Sequence, residues 1–176
     1  MTEMMLRGSV LLGYLKFVKT KWGAQGMKEL KEATGLDPAS YREGGWYGAG
    51  DSEKLLGWIH DTKGPESLVA AGSFLIQNLG FLAYVMRFLN VKTILVRAPE
   101  SYADAFRYGS IKIDIDGEVK RAVAVMKDVA VDPYACPAWL GAFQGMLEMT
   151  KTKGTVKETQ CQRKGADHCE FLVEWE

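Results

Sequence analysis

The first third of the chain carries apolar residues at helical spacing. One face of residues 8–22 is apolar and the other holds lysines, which predicts an amphipathic helix. A second helix is predicted over residues 25–34, and Gly35 follows it in the position of a C-terminal cap. A third helix is predicted to begin at Asp51 or Ser52 and to reach His60.

The longest apolar region covers residues 68–89. It predicts a helix that is apolar around most of its circumference, with Gly72 and Gly80 allowing another element to approach closely. Such a helix lies in the core of a protein, in a subunit interface, or in both. We therefore expect the protein to form a homodimer.

Residues 101–106 predict a helical turn that leads into a strand. The pattern changes at residue 110, where apolar and polar residues alternate as they do in a half-buried strand. Asp116-Gly117 marks a hairpin turn, and residues 119–131 return as the partner strand. A helix over residues 137–150 and a last hairpin of residues 155–161 and 169–175 complete the order. This order predicts an α+β fold, with an antiparallel sheet and helices packed on one of its faces.

The length of 176 residues suits a single domain over residues 1–176. Within it we expect a helical N-terminal part over residues 1–62 and a part over residues 101–176 that holds the sheet. The 22 basic and 22 acidic residues cancel, so the sequence gives no electrostatic drive toward nucleic acid. Polar residues interrupt the apolar region, which argues against a membrane span. Three cysteines without an export signal indicate a reducing compartment, and we expect a cytoplasmic protein.

The three cysteines fall near the C-terminus together with other metal-binding side chains. Cys161 and Cys169 flank a turn at Gly165, Glu158 lies three residues before Cys161, and Cys136 lies 25 residues before it. Thiolates and a carboxylate are zinc ligands, and four of them close a tetrahedral site. By spacing alone, a Cys161–Cys169 disulfide or buried free thiols remain open alternatives. We interpret the pattern as a structural zinc site, with His168 as an alternative to the glutamate.

The same segment resembles a known family. Glu158-x-x-Cys161-x-x-x-Gly165-x-x-x-Cys169, followed by an apolar strand, resembles the closing motif of 4-vinyl reductase domains. That family includes sensory domains of phenol-responsive transcriptional activators and is related to transport protein particle subunits and haem-NO-binding-associated domains. PYACPAWLGAFQG resembles the family's cysteine followed by a helix. The resemblance implies a zinc ion held by Cys136, Glu158, Cys161 and Cys169.

The resemblance also implies a sensory or carrier role, and we expect a small apolar or aromatic ligand between the 137–150 helix and the hairpin of residues 110–131. Ligand pockets are mostly apolar with a few polar groups. The aromatic residues expected to line this one are Trp139, Phe143, Phe106, Tyr108 and Tyr134. Ordinary core packing is the alternative for each of them.

The resemblance extends to haem-NO-binding proteins through the opening segment RGSVLLGYLKFVKTKWG. Haem itself is disfavoured, because those proteins carry a Tyr-x-Ser-x-Arg motif and the nearest match, Tyr108-Gly-Ser110-Ile-Lys112, has lysine at its last position. No nucleophilic triad or nucleotide-binding loop is recognisable, which favours a non-enzymatic protein. An accessory protein or reductase of tetrapyrrole vinyl groups and a scaffold module are the alternative functions.

Overall fold

The computed structural model describes residues 3–78, 85, 87–129 and 132–176. Its helices are α1 (Gly8–Thr34), α2 (Ala49–Lys63), α3 (Glu66–Gln77), α4 (Val91–Ala105) and α5 (Ala135–Met149). Its strands are β1 (Met5–Arg7), β2 (Trp46–Gly48), β3 (Ser110–Asp116), β4 (Arg121–Lys127), β5 (Gly154–Gln160) and β6 (Cys169–Trp175). Short 3₁₀ turns occupy Pro38–Ser40 and Gln162–Lys164.

The predicted α+β fold is confirmed. The larger sheet has the strand order β3-β4-β6-β5, and every neighbouring pair in it is antiparallel. Strand β4 turns Ala122, Ala124 and Met126 into the core, where small side chains leave room for the helices that cover the sheet. The valines between them are only half-buried.

The N-terminal part is helical as predicted. Helices 8–22 and 25–34 form one element, α1, with a kink at Gly23, whose φ of 65° only glycine adopts without strain. Gly35 caps the end of α1 with a φ of 74°. The predicted start of the third helix was wrong, because α2 is capped by Gly48 rather than by Asp51 or Ser52. Strand β2 ends at this glycine and the helix follows it directly.

Strands β1 and β2 form a separate two-stranded ribbon that the sequence pattern did not predict. The indole of Trp46 in β2 lies between two guanidinium groups, at 4.3 Å from Arg7 and 3.9 Å from Arg107. Leu6 of β1 also forms a bridge to Phe106 at the end of α4. The ribbon therefore joins the N-terminal helices to the approach to the sheet.

Helix α4 is longer than the sequence predicted. It begins after Asn90, whose side-chain oxygen accepts a hydrogen bond from the Thr93 amide at 2.9 Å, and it contains Pro99. We expected only a helical turn over residues 101–106. Pro99 obscured the helical pattern, because proline usually ends a helix.

The apolar region of residues 68–89 is described in part. Helix α3 covers its first half, whereas residues 79–84 and 86, and with them Gly80, lie outside the described residues. The predicted close approach at Gly72 is confirmed, since a Cβ atom there would lie 1.9 Å from the carbonyl oxygen of Ala138 in α5. Gly141 of α5 meets the carbonyl oxygen of Val69 in the same way, also at 1.9 Å. Helices α3 and α5 thus pack backbone to backbone.

The described residues form two apolar cores. One lies between the large sheet and helices α4 and α5, and the other lies among α1, α2 and α3. Phe106 packs against both. We call the boundary between the two cores around this residue the seam. Among the described residues, no helix combines the length and the apolar character that a membrane span requires.

The glycine contact between α3 and α5 predicts that Gly72→Ala lowers the free energy of unfolding by about 1–3 kcal/mol, because the methyl group meets backbone that cannot move aside. Gly50→Ala in α2 is the matched control. No atom lies within 4 Å of the position its Cβ would take, so it should stabilise the helix by up to about 1 kcal/mol. Urea unfolding curves of the two variants measure both effects. Equal shifts in the two variants would contradict the close packing.

Candidate functional site

Three separate segments bring the cysteines together. Cys136 lies in the first turn of α5, Cys161 follows the end of β5, and Cys169 begins β6. The sulfur of Cys136 is 3.7 Å from that of Cys161 and 3.5 Å from that of Cys169. All three are buried free thiols. One oxygen of Glu158 joins them, so that the four ligand atoms lie within 4.8 Å of one another.

These distances fit a tetrahedral metal site. With zinc–sulfur bonds of about 2.3 Å, two sulfurs at tetrahedral positions are about 3.8 Å apart. The observed separations of 3.5 and 3.7 Å are close to this value. The side chains therefore need little movement to bind a metal ion.

Glu158 reaches the cluster through an irregularity of β5. The pairing register between β5 and β6 shifts between Glu158 and Gln160, and such bulges redirect side chains. Its Oε2 atom accepts from Lys164 Nζ at 3.0 Å. Its Oε1 atom is buried and, among the described residues, has no hydrogen-bond partner. A buried carboxylate oxygen without a partner is costly, and a metal ion among the thiols would satisfy it.

His168, the alternative fourth ligand, is not part of this group of ligand atoms. Its Nδ1 atom contacts the Asp167 carboxylate, and its Nε2 atom lies 3.7 Å from Glu170 Oε2. These acidic partners hold the imidazole in its own ion-pair cluster. The geometry groups Glu158 with the three cysteines.

The electrostatics of the cluster favour either neutral thiols or a bound cation. Burial raises the pKa of Cys136, and the neighbouring thiols of Cys169 and Cys161 raise it further. Burial also raises the pKa of Cys169. A divalent cation reverses this preference, because a thiol that coordinates a metal is deprotonated. The position of Cys136 in the first turn of α5 adds the positive end of a helix dipole.

The aromatic residues predicted to line a ligand site are divided among three places. Phe106, Tyr108 and Trp139 meet at the seam, where Phe106 lies 5.6 Å from the ring of Tyr108 and 5.4 Å from that of Trp139. Phe143 packs against Phe171 on the sheet at 5.3 Å. Tyr134 packs against His60 of α2 at 5.3 Å.

Tyr102 is a member of the seam that the sequence pattern did not single out. Its ring stacks on Phe106 at 4.8 Å, and its hydroxyl donates to the Tyr108 carbonyl oxygen at 2.6 Å. The helical residues 101–106 were predicted, but no motif distinguished this tyrosine from other core aromatics.

Asp132 was also missed, because Asp132-Pro133 reads as a strand breaker. Its carboxylate is only 2% exposed and accepts from the Tyr134 amide at 2.7 Å, just before α5. Burial raises its pKa despite hydrogen bonds from the backbone. Desolvation raises the pKa of the buried Tyr14 and of the half-buried Tyr108, and the charge of Asp132 raises both pKa values further. The burial of this acidic group close to two phenols is visible only in the folded chain, which is why the sequence pattern did not reveal it.

Comparison with solved structures gives the fold a name. An H-NOX protein from S. oneidensis in its Fe(II)NO state aligns with a TM-score of 0.79 and 15% identity, over 97% of this chain and 99% of that one. An oxygen-binding H-NOX domain related to soluble guanylate cyclases aligns with a TM-score of 0.76 and 10% identity, over 97% and 95% of the two chains. The chain has the H-NOX fold. The H-NOX protein from K. algicida also aligns, with a TM-score of 0.69 and 12% identity, over 97% of each chain.

The H-NOX likeness supports one part of the sequence resemblance. Haem-NO-binding proteins were among the relatives of the 4-vinyl reductase family, and their fold is the one observed. The assignment to 4-vinyl reductase domains themselves is not confirmed. No protein-family model matches the sequence, and no curated protein matches it. At these identities the likeness establishes the fold.

The expectation that haem is disfavoured was wrong. The solved structures of this fold include iron(II) H-NOX proteins, and one of them was determined to study haem distortion in that family. A missing sequence motif is therefore insufficient to set haem aside. The side chain of His60 is 41% exposed and hydrogen-bonded to Asp61, and His168 contacts Asp167. The phenols of the buried Tyr14 and the half-buried Tyr108 lie near the seam.

The buried carboxyl group predicts a pH-dependent effect of Asp132→Asn. The pKa of Asp132 is higher in the folded chain than in the unfolded chain. As pH rises from about 4, the Asp132 carboxyl group therefore ionises first in the unfolded chain. The free energy of unfolding then falls until the pH exceeds the folded pKa. The amide oxygen of asparagine still accepts from Tyr134, so the variant avoids this loss and should gain stability relative to the wild type between pH 4 and 8.

Thermal unfolding of the wild type and the variant across that pH range measures the difference. Asp114→Asn on the exposed surface of β3 is the matched control and should show a difference that does not grow with pH. A constant offset between Asp132→Asn and the wild type would contradict the raised pKa.

Proposed function

We propose that this chain is a small-molecule sensor or carrier domain with the H-NOX fold, stabilised by a structural zinc ion at Cys136, Glu158, Cys161 and Cys169. The observation that carries the zinc is the grouping of one Glu158 oxygen with three thiol sulfurs within 4.8 Å of one another, in a residue whose other polar contacts leave a buried oxygen unpartnered among the described residues. Four protein ligands leave no open position for a catalytic water, which assigns the ion a structural role. The ion links the start of α5 to both strands of the last hairpin.

The zinc proposal predicts about one zinc ion per chain in reduced protein, measured by elemental analysis. Cys169→Ser removes a ligand from the buried centre and should abolish zinc retention and lower the melting temperature. Glu158→Ala should weaken zinc affinity by more than about tenfold, the scale of effects seen even for residues outside the ligand set.

His168→Ala is the matched control for Glu158→Ala. It alters the same loop without removing one of the grouped ligand atoms and should retain zinc. If His168→Ala loses the ion while Glu158→Ala keeps it, the fourth ligand is the histidine. Reduced wild-type protein without any metal would contradict the centre as a whole.

The ligand of the proposed sensor is a small apolar or aromatic molecule at the seam. Support comes from the convergence of Tyr102, Phe106, Tyr108 and Trp139 between the two cores. Aromatic rings supply most of the contact area in such sites, and the Tyr108 hydroxyl offers a polar group. Phe143 and Tyr134 pack elsewhere, against Phe171 and His60 respectively, and are not part of this proposed site.

A Trp139→Phe variant tests the ligand site, with 1-naphthol as the probe. It should change the affinity for 1-naphthol measured by calorimetry, because the indole is part of the seam. Trp58→Phe is the matched control, because this tryptophan is 7% exposed in the other core and packs against Trp22. Equal effects of the two substitutions on affinity would contradict the assignment.

Haem binding is a second candidate function, favoured by the H-NOX fold over nearly the whole chain. Haem would supply an iron at which a diatomic gas binds, and the phenols of the buried Tyr14 and the half-buried Tyr108 are residues near the seam that could hold it. Adding haem to the purified protein should give a saturable change in the haem absorption spectrum that Tyr108→Phe alters. The absence of any saturable change would remove this candidate.

We also propose a homodimer, supported by apolar side chains that remain exposed in the described residues, such as Val96 on α4 and Val119. Light scattering tests it. A particle of 19.5 kDa at micromolar concentration is the monomer and would contradict the dimer.

A further inference from the structure

The four ligands of the proposed metal centre are not held equally. Cys136, Cys161 and Cys169 are between 0% and 6% exposed, and each is fixed by a helix or strand end. Glu158 is half-buried and reaches the centre only because β5 is irregular there. It is also the one hard oxygen donor among soft sulfur donors. Zinc and copper(I) bind soft sulfur ligands more favourably than hard oxygen ligands.

A second cation competes with the metal for the same carboxylate. Lys164 Nζ lies 3.0 Å from Glu158 Oε2, while Oε1 is buried and has no hydrogen-bond partner among the described residues. The side chain of Lys164 is 77% exposed, so it can follow the carboxylate without being buried. If Glu158 leaves the metal, its charge stays paired with Lys164.

A surface cleft borders the centre on the side of this carboxylate. The cleft, of about 250 Å³, is lined by Glu158, Thr159, Gln160, Cys161, Lys164 and Ala166. It is smaller than the roughly 300–1,000 Å³ of pockets for drug-sized ligands, so its occupant has few atoms. Its lining includes Cys161 and Glu158, two of the four grouped ligand residues, together with the cation of Lys164.

We propose that the Glu158 position of the metal centre is exchangeable and that a low-molecular-weight thiol binds there from the cleft. This inference rests on the proposed metal centre. The metal–oxygen bond to Glu158 breaks and a metal–sulfur bond to the incoming thiolate forms, while the thiol proton passes to solvent. One monoanionic donor replaces another, so the net charge of the coordination sphere is unchanged. Lys164 is a positioning residue that retains the displaced carboxylate.

Cobalt(II)-substituted protein tests the exchange, with 2-mercaptoethanol as the probe and a thiol-free reductant in the buffer. Cobalt reports its thiolate ligands through charge-transfer absorbance. We expect a saturable rise of about one third as three thiolates become four, with the cobalt content unchanged. An unchanged spectrum, or cobalt stripped from the protein, would overturn the exchange.

Two variants test the roles of the residues. Lys164→Met should raise the half-saturating thiol concentration roughly two- to fivefold, the range of an exposed ion pair, whereas Lys157→Met, an exposed lysine on the same strand as Glu158, should leave it unchanged. Glu158→Cys places a fourth sulfur in the chain and should abolish the response. Equal shifts in both lysine variants would overturn the role of Lys164.

The outcomes distinguish a failure of the thiol exchange from a failure of the proposed metal centre. Protein that takes up no cobalt or zinc contradicts the metal centre itself. Protein that binds one metal ion per chain and ignores the thiol contradicts only the exchange.

Discussion

The convergence of three buried sulfurs and one carboxylate is the constraint on which the sheet side of this protein depends. The four atoms come from the start of α5, from the end of β5 and from the start of β6. Without a metal ion, a buried carboxylate oxygen has no partner among the described residues, and this lowers the stability of the folded chain. With one, the same atoms become a cross-link between the helix and the hairpin, and metal binding contributes directly to folding.

Such a cross-link would affect the seam, because α5 contributes residues to both. The first turn of α5 contains Cys136 of the metal-ligand group, and its next turn contains Trp139 of the seam. Gly141 allows α5 to pack closely against α3. A change at the metal that shifts the start of α5 would therefore move an aromatic ring that lies between the two cores. Closely packed interiors transmit such shifts rather than absorbing them. A sensor with this construction would couple its metal centre to its ligand site through one helix.

The sequence predicted the parts of the fold that have strong periodicity or a motif. Alternating isoleucines gave β3, and the spacing of Glu158, Cys161 and Cys169 around Gly165 gave the hairpin that carries the centre. Three-residue strands such as those of the β1–β2 ribbon are too short to show a period, and Pro99 concealed α4. The Glu158–Lys164 pair and the buried Asp132 depend on a bulge and on burial, which a linear pattern does not contain. Haem was set aside on a motif, whereas fold comparison showed that the architecture is that of H-NOX proteins.

The central claim is that a zinc ion binds three sulfurs and one carboxylate oxygen of this chain. X-ray absorption at the zinc edge of the purified, reduced protein tests it most directly. The account predicts three sulfur neighbours at about 2.3 Å and one oxygen at about 2.0–2.2 Å. A protein without a zinc edge, or with a zinc ion surrounded only by nitrogen and oxygen, would contradict it.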